Sequence, residues 1–262
     1  MTVLQAIFLG IIQGLTEFLP ISSSAHLNIM PWLFNWQEIP ESFDVALHFG
    51  TLLAICIYFF KDWIDLIIGG YKKAIKKEDS TDGRIFWYIA ISTIPTGILS
   101  IILEKFSDKY LPGMAPIAVA LIVMGILLYI IDKKSSSEVG YDKITFKQGF
   151  LIGLSQAIAA AFPGVSRSGI TMTVSRLFKI DRESAAKYSF LLSTPVVLAA
   201  VLINIGNFVI DIPFILGLLA SFISGLLVIK FLMEYLKKKS FKVFAIYRLI
   251  LGLIILAILI IK

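Results

Sequence analysis

The chain has 262 residues, of which 58% are hydrophobic and only 16% are charged, and its formal net charge is +6. A soluble domain has about 25% charged residues, and the apolar residues here form unbroken blocks such as 116–131 and 241–261. The composition excludes a soluble globular protein and indicates a polytopic membrane protein. The positive charge does not indicate a nucleic-acid partner, because the lysines lie in short segments between apolar blocks, where basic residues set membrane orientation.

The chain contains ten hydrophobic segments. They are 3–19, 22–34, 43–60, 85–103, 116–131, 148–162, 168–178, 187–208, 212–236 and 241–261. A membrane crossing needs roughly 20 residues, so three of these are too short to cross alone. Each short segment belongs to a pair interrupted by proline, 3–34 or 148–178. We therefore predict an all-α polytopic fold with six full spans and two re-entrant helix–turn–helix hairpins.

The distribution of Lys and Arg predicts the orientation of these segments. Basic residues cluster in 61–84, 132–147, 176–187 and 237–242, whereas 35–42 and 209–211 have none. Basic loops face the cytoplasm, which places both termini outside. The first hairpin then enters from outside and the second from the cytoplasm. The basic loops would also alternate with the non-basic ones if both hairpins crossed the membrane fully. The prediction that the hairpins are re-entrant therefore depends on segment length. The polar stretch 61–84 is interpreted as a loop.

Two stretches of the chain nearly repeat each other at an offset of 143 residues. The aligned pairs are Gln13 with Gln156, Glu17 with Ala160, and Pro20 with Pro163. Matching interrupted segments in two halves of a membrane protein point to a site near the bilayer midplane. We predict a single membrane domain, 1–262, built from inverted repeats of about 1–131 and 148–262.

Gln13 and Glu17 are four residues apart and therefore share one helix face. A lone glutamate in a membrane segment costs about 2–3 kcal/mol or more, so it needs a partner. One interpretation is a structural carboxylate that is hydrogen-bonded to a neighbouring helix. The other is a carboxylate that binds a metal ion or transfers protons.

A hydroxyl cluster, Ser22, Ser23 and Ser24, directly follows Pro20. Serines at such a position cap the free N–H groups of a helix, and the same geometry forms an anion site. His26 lies three residues after Ser23, within reach on one helical face, and a hydroxyl beside an imidazole is a minimal activated nucleophile. A buried core histidine is the alternative.

The second stretch contains Gly164, Ser166, Arg167, Ser168 and Thr171. Glycine lets a backbone come close to a ligand, and the arginine fork suits phosphate oxygens. The hydroxyls add donors at the start of a helix. An interfacial arginine that reaches lipid headgroups is the alternative.

Other polar residues carry weaker signals. Glu41, Asp44 and His48 either extend the site or merely cap and pair at the outer end of their segment. A further group near the cytoplasmic ends is explained by contacts with water or headgroups. Its members are Arg176, Arg182, Glu183, Lys230, Glu234 and Arg248.

Together the two stretches supply an acid, an imidazole, several hydroxyls and a guanidinium inside a membrane. This set fits a phosphate or pyrophosphate on a lipid. Arg167 would hold charge on the transferring phosphoryl group. Glu17, with or without Gln13, would bind a divalent cation or handle protons.

These motifs resemble the undecaprenyl-diphosphate phosphatase family, the bacitracin-resistance lipid phosphatases. Residues 13–26 contain the acidic motif followed by Pro-x-Ser-Ser-x-x-His, and residues 163–171 match the motif Pro-Gly-x-Ser-Arg-Ser-x-x-Thr. The resemblance covers essentially the whole chain. It implies a plasma-membrane enzyme with the inverted-repeat fold and two re-entrant hairpins. Such an enzyme hydrolyses a polyprenyl diphosphate to the monophosphate carrier, depends on Mg²⁺ or Ca²⁺, and has an active site open to the extracytoplasmic side. A homodimer is compatible with it.

The resemblance also implies residue roles. Glu17 and Gln13 are the acidic positions, Ser23 and His26 are the nucleophile and its partner, and Ser166, Arg167, Ser168 and Thr171 bind phosphate, next to Ser22, Ser24 and Gly164. Gln13 replaces a glutamate of many relatives, and Ser24-Ala25 stands where relatives often have Thr-Gly. Ser23, His26 and water remain alternative nucleophiles. A polyprenyl-phosphate flippase or secondary transporter on the same fold is the alternative function.

Overall fold

The computed structural model describes residues 1–261, apart from the side chains at 104, 107–110 and 161. Within this part of the chain there are eleven α-helices and no β-strand, only one isolated bridge. The helices are α1 Val3–Phe18, α2 Ser23–Phe34, α3 Glu41–Tyr58, α4 Phe60–Tyr71, α5 Thr81–Tyr110, α6 Met114–Lys134, α7 Phe146–Ala161, α8 Arg167–Leu177, α9 Arg182–Asn204, α10 Ile212–Leu236 and α11 Lys242–Ile261.

Six helices, α3, α5, α6, α9, α10 and α11, are long and apolar enough to cross a membrane. The chain is therefore a multi-pass membrane protein, and the predicted all-α fold with six spans is confirmed. The helices α1, α2, α7 and α8 have at most 16 residues. At about 1.5 Å per residue, each is too short for a hydrocarbon core of about 30 Å.

The interpretation of 61–84 as a loop is wrong, because α4 occupies its first half. One face of α4 is buried through Leu66, Gly69 and Gly70, and it packs against α5. The indole Nε1 of Trp87 on α5 donates to the carbonyl oxygen of Gly70 at 3.1 Å. The charged side chains of α4 make this stretch polar in composition, which is why the sequence suggested a loop. The stretch instead forms an amphipathic helix of the kind that lies at a membrane surface.

The first hairpin, α1 and α2, returns to the end of the bundle from which it starts. Phe8 near the start of α1 contacts Trp36 just after α2, with ring centroids 6.0 Å apart. α1 lies parallel to α10, with Gly10 against Gly217 and Gly14 against Ser224. Since α10 runs to Leu236, α1 ends beside its middle.

The second hairpin, α7 and α8, enters the bundle from the opposite end. α7 lies parallel to α5: Gly153 faces Ser92, and the Thr96 hydroxyl donates to the Gly153 carbonyl at 2.9 Å. The segments that flank the hairpin are joined by a bridge between Val139 and Ile180. This is the arrangement expected for re-entrant hairpins, and their placement in a bilayer stays a prediction.

The two hairpins share local structure as well as sequence. Thr2 and Thr145 each form a capping box at the start of the first helix. Ser22 and Ser166 both have left-handed backbones, with φ of 75° and 72°, and each caps the second helix with its hydroxyl. These equivalences support an internal repeat, while the division of the whole chain into two inverted repeats stays a prediction.

We expect Gly14→Ala to destabilise the protein by about 1–3 kcal/mol, because overpacking forces neighbours apart. A methyl group there would lie 2.0 Å from the Ser224 hydroxyl and 2.5 Å from the Ser221 carbonyl. Thermal unfolding in detergent measures the effect. Gly97→Ala is the matched control, since a methyl group at Gly97 meets nothing within 4 Å. Equal melting temperatures for the two variants would contradict the close packing of α1 on α10.

Candidate active site

The turns of the two hairpins meet inside the bundle through an ion pair. Glu17 lies in the last turn of α1 and Arg167, 150 residues later, begins α8; the guanidinium Nη2 donates to Glu17 Oε1. The Ser168 hydroxyl lies 3.2 Å from the carbonyl oxygens of both Glu17 and Leu19. The partner that the sequence requires for Glu17 is therefore the arginine of the other hairpin.

A second arginine, Arg248 of α11, holds both turns. It is fully buried and donates to the carbonyl oxygens of Pro20 at 3.0 Å, Gly164 at 2.7 Å and Val165 at 2.9 Å. The expectation that it contacts water or headgroups is wrong. Its position inside the apolar block 241–261 was the available signal.

Arg176 is also buried rather than solvated, which corrects a second expectation. Its Nε donates to Asp132 at 2.8 Å, and the same carboxylate oxygen accepts from Arg182 at 2.8 Å. Asp132 itself was not singled out by the sequence. This cluster joins the ends of α6 and α8 to the start of α9, away from the turns.

A cavity of about 320 Å³ lies between the two turns and α3, α5, α7 and α9. Its charged and titratable lining consists of Glu17, Asp44, His48 and Arg167, with the hydroxyls of Ser23, Ser24 and Ser166 beside them. Gln156 also lines it, although the sequence analysis did not assign Gln156 to the site. The available signal was its alignment with Gln13.

The Ser23 hydroxyl contacts the acid directly. It donates to Glu17 Oε2 at 2.6 Å, and Gln13 Nε2 donates to the same oxygen at 3.1 Å. Glu17 thus accepts from a hydroxyl, an amide and the Arg167 guanidinium. A carboxylate within hydrogen-bond distance of a hydroxyl has the geometry to accept its proton.

The expected pair of Ser23 and His26 does not form. The buried His26 ring donates from Nδ1 to the Ser22 carbonyl at 2.7 Å, and its Nε2 lies 2.6 Å from the Tyr247 hydroxyl. Ser23 instead turns towards Glu17 across the bend. Both ring nitrogens of His26 are therefore occupied outside the cavity lining, and a catalytic role for His26 stays a prediction.

His48 supplies the imidazole of the cavity. Its Nε2 lies 3.5 Å from Glu17 Oε2, and its Nδ1 lies 3.0 Å from the Asp44 carbonyl oxygen. The sequence left open whether Asp44 and His48 extend the site. Both line the cavity, so the structure favours that alternative.

Four other predicted binding residues have structural contacts in the turns or at the start of α8. The Ser22 hydroxyl caps α2, Ser168 bonds to the first hairpin, and the Thr171 hydroxyl lies 2.6 Å from that of Ser189. Gly164 has φ of 97°, and a methyl group there would lie 2.6 Å from the Ile117 carbonyl. The glycine therefore permits close approach of α6 rather than of a ligand.

The fold and the cavity define a class of protein. It is a polytopic membrane protein in which two interrupted helices bring an acid, a hydroxyl and a guanidinium together inside the bundle. Residues 6–254 match the family model described as bacitracin resistance protein BacA. The chain belongs to this family, which confirms the resemblance seen in its motifs.

Curated relatives match nearly the full length of the chain and carry the name undecaprenyl-diphosphatase. The relative from Caldicellulosiruptor bescii is 47% identical over 267 residues, covering 98% of this chain and 97% of its own. The relative from Pelotomaculum thermopropionicum is 45% identical over 259 residues, with 98% and 96% covered. The relative from Moorella thermoacetica is 42% identical over 261 residues, with 98% of both chains covered.

We expect Arg248→Met to lower the free energy of unfolding by at least about 3 kcal/mol, because hydrogen bonds to a charged group contribute about 1.5–3 kcal/mol each. The variant removes the donor of four carbonyl oxygens, those of Pro20, Gly164 and Val165 in the turns and that of Leu121. Chemical denaturation in detergent measures the loss. Arg84→Met is the control: its partly exposed side chain pairs with Asp79 at 2.7 Å, an interaction expected to contribute about 0–1 kcal/mol. Similar losses in both variants would contradict the role of Arg248.

Proposed function

We propose that the protein hydrolyses undecaprenyl diphosphate to undecaprenyl monophosphate and inorganic phosphate. The name of the curated relatives supports this reaction over lipid flipping. The observation that carries the proposal is the meeting of Ser23, Glu17 and Arg167 at one cavity. Phosphoryl transfer needs a nucleophile, a proton acceptor and fixed positive charge, and these three side chains supply them.

Ser23 is the nucleophile in this proposal. Its oxygen attacks the terminal phosphorus, its proton passes to Glu17 Oε2, 2.6 Å away, and the bond from phosphorus to the bridging oxygen breaks. The lipid monophosphate leaves with that oxygen. Water then attacks the phosphoserine and the bond from phosphorus to the Ser23 oxygen breaks. Glu17 returns its proton to the Ser23 oxygen, accepts the proton that the water loses and passes it to solvent as inorganic phosphate leaves. The occupied nitrogens of His26 favour Ser23 over His26.

Arg167 binds the phosphate oxygens in this reaction. In the absence of substrate its guanidinium pairs with Glu17. A bound diphosphate provides oxygens that suit the same planar fork, so Arg167 donates to them and Glu17 is released to accept the Ser23 proton. His48, beside the same carboxylate, adds a further donor.

A divalent cation fits this site only together with the substrate. Among the described residues, no group of three or more His, Cys, Asp or Glu side chains could hold a metal. Mg²⁺ usually binds through one or two carboxylates plus substrate phosphates, and Glu17 and Asp44 both line the cavity. These residues, with Gln13, would hold Mg²⁺ or Ca²⁺. The ion would neutralise charge on the diphosphate.

We further propose that the cavity opens to the extracytoplasmic side of the plasma membrane. It is lined by Asp44 near the start of α3, Ser100 of α5, and Ala200 near the end of α9. The connections at this end of the bundle include 35–40 and 205–211, which carry no Lys or Arg. Such loops face away from the cytoplasm. The hairpins are then re-entrant from opposite faces.

A homodimer stays a prediction.

We expect purified protein with Mg²⁺ or Ca²⁺ to release phosphate from undecaprenyl diphosphate, and a chelator to stop the release. Arg167→Ala should lower kcat roughly 100- to 1,000-fold, as loss of a transition-state donor does, and Ser23→Ala should lower it at least as much, because it removes the nucleophile. Ser136→Ala is the control, because Ser136 lies in an exposed segment and bonds to Glu138. A malachite-green phosphate assay measures the rates.

Normal turnover of folded Ser23→Ala protein would contradict the proposal that Ser23 is the nucleophile and would favour attack by activated water. Normal turnover of Arg167→Ala would overturn the phosphate-binding role. Transfer of labelled lipid phosphate across liposomes without phosphate release would favour the flippase. Full activity with chelator would contradict the cation.

A further inference from the structure

Gln156 of α7 has a buried amide that the protein does not satisfy. The side chain is only 3% exposed and lines the cavity. Its Nε2 donates to the Gly153 carbonyl at 3.5 Å, the outer limit of a hydrogen bond, and its Oε1 has no partner. An unsatisfied buried polar group costs about 1–3 kcal/mol, so its presence in a native protein calls for an explanation, such as a bound ion, a water molecule or a catalytic role.

Its position at the cavity distinguishes Gln156 from the other unsatisfied side chains. Among the described residues, four side chains have a buried polar atom without a partner: Gln13, Trp63, Gln156 and Tyr188. Of these, Gln156 alone lines the cavity between the turns. The unsatisfied amide and the cavity are thus two observations that point to one ligand position.

The internal repeat shows that the amide nitrogen of Gln156 has a weaker partner than its counterpart in the first hairpin. Gln13 occupies the equivalent position in the first hairpin, and its Nε2 donates to Glu17 at 3.1 Å. The second hairpin has Ala160 in place of that acid. The carboxylate that would accept from the Gln156 amide nitrogen is therefore absent, and Nε2 keeps only its long bond to the Gly153 carbonyl.

The surroundings of Gln156 indicate which part of a diphosphate lies there. Ser100 and the small side chains of Ala159 and Ala160 lie on this side of the cavity, and among the side chains that the structure describes no charged residue of α5 or α7 lines it. The acidic side chain Asp44 comes from α3. α9 packs against both α3 and α5, so it separates the acidic wall from the neutral wall.

The reaction fixes the other end of the substrate. The terminal phosphorus must lie at Ser23, beside Glu17. The second phosphate, which carries the apolar chain, then lies further along the cavity. Neutral amide and hydroxyl donors next to small apolar side chains suit an anionic group that continues into a hydrocarbon tail.

We propose that Gln156, assisted by the Ser100 hydroxyl, binds the lipid-linked phosphate, which remains on the product. This inference rests on the proposed function. Rotation about the last side-chain bond exchanges the amide oxygen and nitrogen. It brings the Nε2 hydrogens to the position of the unpaired oxygen and turns Oε1 towards the Gly153 carbonyl in place of the long hydrogen bond, so the charge-assisted bond to phosphate must outweigh that contact. Gln156 then contributes to the affinity for substrate and for monophosphate product, but not to attack on the terminal phosphorus.

Gln156→Met tests this role, because methionine keeps the length of the side chain and removes the buried amide. We expect a melting temperature equal to or above that of the wild type. We also expect the KM for undecaprenyl diphosphate and the inhibition constant of undecaprenyl monophosphate each to rise roughly tenfold, as the loss of one charge-assisted hydrogen bond does. The kcat should change much less than KM.

Tyr188→Phe is the matched control, since it also removes a buried unsatisfied atom, from a site outside the cavity lining. It should keep wild-type KM and product inhibition. Gln156→Glu gives a second measurement if the methionine variant does not fold. Its carboxylate keeps the shape of the amide but repels phosphate, so KM should rise further.

Two results would overturn the assignment of Gln156. One is that the wild type is active and the folded Gln156 variants have the same KM and the same product inhibition as the wild type. The other is an equal rise of KM in Tyr188→Phe, which would indicate a packing effect. A wild-type protein that releases no phosphate from undecaprenyl diphosphate would instead contradict the proposed function itself.

Discussion

The ion pair between Glu17 and Arg167 is the interaction on which the arrangement of the two hairpins depends. A single charge inside a membrane segment is costly, and a buried charge without its partner destabilises a protein strongly. Each hairpin brings one charge to the middle of the bundle, so neither turn is satisfied alone. Because the charges have opposite sign, each compensates the other as long as no substrate is bound. The same pairing leaves a carboxylate, a hydroxyl and a guanidinium around one cavity.

Besides this ion pair, groups that take no part in the reaction hold the turns. Arg248 binds the backbone of both turns and is fully buried, while close packing of Gly10 and Gly14 fixes α1 on α10. Ser22 and Ser168 complete the turns with their hydroxyls. Arg167 and Ser23 can therefore exchange their bonds to Glu17 for bonds to a substrate without loss of the framework. This division is the preorganisation that phosphoryl transfer requires.

Much of the fold could be predicted because apolar block length alone specifies a span, and short paired blocks specify a hairpin. The repeat also indicated which turns meet. Contacts between distant elements could not be predicted. A spacing of three residues places Ser23 and His26 on one helix face, but their partners, Glu17 and Tyr247, lie across the turn and on α11. Likewise, the hydrophobic pattern shows that apolar residues surround Arg248 in the sequence, but it does not show which carbonyl oxygens Arg248 binds.

A double-mutant cycle on Glu17 and Arg167 measures the central interaction directly. The free energy of unfolding in lipid-like detergent is determined for the wild type, Glu17→Gln, Arg167→Met and the double variant. If the two turns are held by this pair, each single variant loses roughly 3–5 kcal/mol, and the double variant loses less than the sum by about 1–3 kcal/mol. Strictly additive losses would mean that the two charges do not interact across the turns, and would contradict the arrangement described for the site.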